Sequence, residues 1–150
     1  MLALTIDDRA RAMGLTPEQA GDPLSETVAG RLALREILTR VQAEAVDAYA
    51  KLVALAAAAM QAPSGPRCSL NPSRGGSTSE DDEEYYRQTM RRYNDAFSAC
   101  RSSGYRSNRA VNIVVRDLLD VPRSERKYLR AGAQALVVHF GLDRKQAESR

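Results

Sequence analysis

Tryptophan is absent from the 150 residues, phenylalanine and cysteine occur twice each, and histidine occurs once. With aromatics at only 5 %, any core has to be built from aliphatic side chains and alanine. A structural zinc site takes about four Cys or His ligands. Cys68, Cys100 and His139 fall short of that number and have neither CxxC spacing nor clustering, so no metal is expected and the two thiols read as a reduced pair. Long apolar runs are missing as well. The longest, LVALAAAAM at Leu52–Met60, has nine residues, against about 20 for a membrane span. The opening MLALTIDD has no basic n-region and reaches acids at Asp7 and Asp8, which does not fit a secretory signal. A cytoplasmic protein without membrane contact is expected.

Strand signals are also lacking. No alternation bounded by hairpin residues occurs, and VNIVV at Val111–Val115 continues into Leu118, Leu119 and Val121, a run too long for an ordinary strand. The chain therefore reads as all-α: a bundle of five to six helices in two lobes joined by a mobile Gly/Ser/Pro-rich connector. The boundaries fall at 1–61 for the N-terminal lobe, 62–79 for the connector, 80–142 for a C-terminal three-helix lobe, and 143–150 for a polar tail.

Local signals set the helix limits. Ile6–Met13 ends at Gly14, and Thr16-Pro17-Glu18-Gln19 opens a short turn of helix that Gly21-Asp22-Pro23 stops. A helix over 24–36 follows. Thr39-Arg40-Val41-Gln42 matches the T-x-x-Q capping box, which starts another over 40–60. Within it Val41, Ala45, Ala48, Leu52, Leu55 and Ala59 form an a/d seam. Tyr86, Met90, Tyr93, Phe97 and Cys100 repeat that spacing in the next helix and predict its buried stripe. These two seams also allow a homodimer. Ser102-Ser103-Gly104 closes that helix, Asn108 caps one running to about Asp120, and Ser124 caps the last, which Gly141 and Leu142 end in a Schellman motif.

The connector contains Gly75-Gly76-Ser77 beside Arg74, but nothing of the GxxxxGK[ST] pattern or its strand-to-helix context. It reads as slack. The acids Glu80–Glu84 that follow suit the positive end of a helix and match no calcium-loop spacing. His139 sits in the last helical turn, a place basic side chains favour, with no nucleophile or carboxylate paired to it by local spacing. A non-enzymatic protein without a cofactor is expected.

Charge is distributed unevenly. Residues 1–79 hold 8 basic and 8 acidic side chains, whereas Arg87–Arg150 holds 14 basic and 6 acidic. Arg87, Arg91, Arg92, Arg101, Arg106 and Arg109 face a single acid, Asp95, over their stretch, and arginine's planar fork suits phosphate. These residues either contact a nucleic-acid backbone or pair with Glu80–Glu84 as a solvated face. Val121-Pro122-Arg123 suits the turn of a helix-turn-helix and equally that of an ordinary helical hairpin, with Arg123, Arg126, Lys127 and Arg130 on the start of the second helix and no base-reading Asn or Gln in its first turn. The expected partner is nucleic acid. The alternative is a host or phage protein complex, bound by an inhibitor or adaptor of anti-CRISPR-like type.

The segments DPLSETVAGRLALREILTRVQAEAVDAYAKLV and KYLRAGAQALVVHFGL resemble a group of small proteins encoded by phages and prophages of alphaproteobacteria. That group shares a GRL-containing helix, a Thr/Ser-x-x-Gln helix start, a variable Gly/Ser/Pro-rich middle, and an ending near His-Phe/Tyr-Gly-Leu. The resemblance spans most of the chain. It implies a phage-linked, cytoplasmic setting and carries over no functional residue.

Overall fold

The computed structural model describes residues 5–61 and 80–143. The connector, Gly75-Gly76-Ser77, Cys68 and most of the tail lie outside the described residues. Within them the fold is all-α, with seven α-helices: α1 (Ile6–Met13), α2 (Pro17–Ala20), α3 (Val28–Leu34), α4 (Arg40–Gln61), α5 (Glu80–Ser102), α6 (Tyr105–Arg116) and α7 (Arg126–Phe140). Two 3-10 turns, Pro23–Glu26 and Arg123–Glu125, complete it.

Threonine starts each of the first four helices. Thr5 accepts from Asp8 N, Thr16 from Gln19 N and Thr27 from Gly30 N, while Thr39 accepts from Gln42 N at 3.1 Å and Gln42 returns the bond to Thr39 N at 3.0 Å. Each bond satisfies an amide that a helix start otherwise leaves open. The single helix expected over 24–36 is instead split, because Asp22 caps a 3-10 turn and Thr27 then begins α3. Gly30 permits this fold-back: a Cβ there would collide with the Leu24 carbonyl and lie 2.9 Å from Thr27 Oγ1. Arg31 Nη1 donates to Ser25 O at 2.9 Å and Leu32 is buried. The GRL triplet is thus a packing device, as is Gly141, whose φ of 69° lets Leu142 turn back into the core.

One core cluster draws on both sides of the connector, from Ala29 and Leu32 to Leu136 and Leu142. At its centre α7 presents Leu129, Gly132, Ala133, Leu136 and Val137 to α4, α5 and α6. A Cβ on Gly132 would stand 2.7 Å from Val111 Cγ2 and 2.9 Å from Ser107 O, so glycine sets how closely α6 and α7 approach. Tyr49, fully buried, stacks on Tyr93 with centroids 6.3 Å apart. Cys100 is a buried free thiol, pushed up to about 11 because burial disfavours the thiolate.

Two expected stripes are rotated. In α4 the buried line is Ala43, Ala45, Val46, Tyr49 and Ala56, and Leu55 is 45 % exposed. In α5 it is Thr89, Ala96 and Cys100 with Tyr93 against them, leaving Tyr86 at the surface. Both helices face several neighbours, so their buried arcs are wider than an a/d seam and centred elsewhere. Asn108 lies inside α6, which starts at Tyr105 after Gly104 and ends at Arg116 rather than Asp120. Ser124 caps nothing, since the 3-10 turn absorbs it. Among the described residues no helix is long and apolar enough to cross a membrane.

Candidate anion-binding surface

The last two helices begin unlike the first four. Gly104, with φ 122°, precedes α6, and Glu125 precedes α7; neither offers a side-chain cap, and neither helix has an acid in its first turn. Arg106 stands in the first turn of α6, and Arg126 and Lys127 open α7. The positive dipole end disfavours cations there, and at α7 the Arg126 N–H donates to Arg123 O with Glu125 as the acid just ahead of the helix. The same arrangement favours an anion.

The two starts meet at Tyr128. Arg106 Nη1 donates to Tyr128 Oη at 3.0 Å with its Cζ 5.4 Å from the ring centroid, and Lys127 Nζ lies 5.0 Å from the same centroid. The Tyr128 hydroxyl is held below the usual phenol range, first by that hydrogen bond and then by the charges of Arg106 and Lys127.

Beside this junction is an open cleft of about 730 Å³ lined by Arg35, Glu36, Ile37, Arg123, Ser124, Arg126, Lys127 and Arg130. Its guanidinium groups are held by few partners. Asp120 is shared, 3.2 Å from Arg35 Nη1 and 3.5 Å from Arg126 Nη2. Arg130 Nε donates to Ile37 O at 2.8 Å, where the α3–α4 link passes with Glu36 at φ 61°. Arg126 Nε is buried without a hydrogen-bond partner. One carboxylate between two guanidiniums leaves donors to spare, since each guanidinium carries five N–H groups.

The nine residues read from the sequence do not form one surface. Arg106, Arg123, Arg126 and Lys127 come together, joined by Arg130. Arg87 instead pairs with Glu83 at 3.5 Å on its own helix. Arg91 and Arg101 are exposed on the side of α5 turned from the core, and Arg109 is exposed on α6. Arg92 lines a separate cleft of about 850 Å³ with Arg40, Glu44, Asp47, Lys51, Asp95 and His139 over Leu24, Leu52 and Phe140. The expected three-residue turn of a helix-turn-helix is a nine-residue connection between Arg116 and Arg126. Arg35 was not legible, because its partner Asp120 is 85 positions away and no local pattern links them.

Among the described residues no group of three or more His, Cys, Asp or Glu is placed to hold a metal ion. No family model, curated protein or solved structure matches the chain.

Proposed function

We propose that the protein is a non-enzymatic nucleic-acid-binding protein of phage or prophage type, acting in the cytoplasm in regulation or packaging. The observation that carries this is the meeting at Tyr128 of two helix starts without side-chain caps, one carrying Arg106 and the other Arg126 and Lys127, beside a cleft with five basic side chains. Such an arrangement costs stability in the free protein and is offset when phosphates occupy it. The resemblance to small phage proteins supports the setting. Arg123 and Lys127 are exposed and contact phosphates, while Arg126 and Arg130 are held from behind and shape the cleft. Titrating duplex DNA into the protein across a salt series tests this: affinity falls steeply with salt if phosphates are bound, and no binding at about 50 mM salt removes the reading.

A second reading, a module that inhibits or adapts a host or defence complex, draws on the other cleft. Its mixture of both charges over Leu24, Leu52 and Phe140 suits a protein surface better than a polyanion.

A further inference from the structure

The connection between α6 and α7 displays two leucines and holds them out. Leu118 is 67 % exposed and Leu119 60 %, and Leu118 has a φ of 55°, a left-handed conformation that a branched side chain adopts only under constraint. The constraints lie on both sides of the pair. Asp117 N and Leu119 N both donate to Ile113 O, at 3.1 and 3.4 Å. Asp120 is clasped by Arg35 and Arg126, and Val121 is buried in the core. The loop is therefore tied down at its ends while its apolar tip points into solvent.

We infer that Leu118 and Leu119 are an apolar wedge that enters between neighbouring bases while the adjoining cations hold the flanking phosphates; this rests on the nucleic-acid reading above. Charge complementarity selects the occupant. The wedge is joined through Asp120 to Arg35 and Arg126, and the cleft beside them adds Arg123, Lys127 and Arg130; against these five cations stand Glu36 in the cleft, Asp120 shared by two guanidiniums, and Asp117 at the start of the loop. The cations outnumber the acids, so a partner that carries repeated negative charge and offers apolar faces between its charges fits this surface. Stacked bases on a phosphate backbone do both, and leucine is among the side chains that unstack base steps and bend the duplex. Flexible TA and CA steps open most easily and are the preferred sites.

The test uses the full chain and a duplex of about 20–30 base pairs containing TA and CA steps, with 2-aminopurine at those steps and a fluorophore pair at the ends. Wild type is expected to raise 2-aminopurine fluorescence and shorten the end-to-end distance. The Leu118→Ala/Leu119→Ala variant, with unchanged circular dichroism and Tm, is expected to lose both signals and about tenfold in affinity while keeping the salt slope of wild type. Wild-type binding with a steep salt slope but no fluorescence or distance change overturns the wedge and leaves phosphate binding standing. Equal signals from the variant overturn it too. No duplex binding at about 50 mM salt removes the nucleic-acid reading and the wedge with it, and reassigns the leucines to a protein contact.

Discussion

The helices before the connector and the last two after it begin in opposite ways. Thr5, Thr16, Thr27 and Thr39 each cap a helix, whereas the starts at Tyr105 and Arg126 have no side-chain cap and carry Arg106, Arg126 and Lys127. The C-terminal end of α7 is conventional, closed by Gly141 with His139 in its last turn. The difference teaches that the second half of the chain gathers cations at two helix starts without side-chain caps, where the dipole disfavours them and Tyr128 and Asp120 hold them.

The largest effect comes from forcing α6 and α7 apart. Gly132→Ala places a methyl against Val111 and the Ser107 carbonyl, and is expected to destabilise by about 1–3 kcal/mol, read as a lower midpoint in urea unfolding. Next, Thr39→Ala removes a reciprocal cap and is expected to cost about 0.5–2 kcal/mol. Ser124→Ala, which deletes a hydroxyl that caps nothing, is expected to leave the same midpoint unchanged.

These contrasts also mark what the sequence discloses. The Thr39–Gln42 box was legible because both bonds lie within three residues. Ser124 carries the same local signal and misleads, because Pro122 holds an extended ψ of 150° and the 3-10 turn begins before a cap can form. Leu118 and Leu119 read as a continuation of the buried Val111–Val115 face. The helix ends at Arg116 without a glycine or proline to announce it, and the reversal at Leu118 turns the pair outward. The all-α class and the basic second half were plain; which arginines converge was not, since Arg35 is brought in by the tertiary fold alone.

Charge reversal sharpens the comparison with effects of opposite sign. Arg123→Glu/Lys127→Glu puts acids at the positive end of α7 and is expected to stabilise the protein by about 0.3–1 kcal/mol in a thermal melt while weakening DNA binding. A small, pH-dependent effect lies in the capped half. Asp47 is half-buried, and burial raises its carboxyl above the ordinary value despite the Thr27 hydroxyl donating to it at 3.2 Å. A carboxyl raised in the fold ionises more easily in the unfolded chain, so it opposes folding as pH rises above about 4. Asp47→Asn is expected to raise Tm slightly at neutral pH, with the difference closing below about pH 4, where the carboxyl is protonated in both states.

The most direct test of the central claim is the salt dependence of duplex binding for wild type and the Arg123→Glu/Lys127→Glu variant side by side. The account predicts a linear fall of log affinity with log salt for wild type, and a slope shallower by about 2 for the variant, one phosphate contact per cation lost. Identical slopes, or no binding by the wild type at low salt, would contradict it.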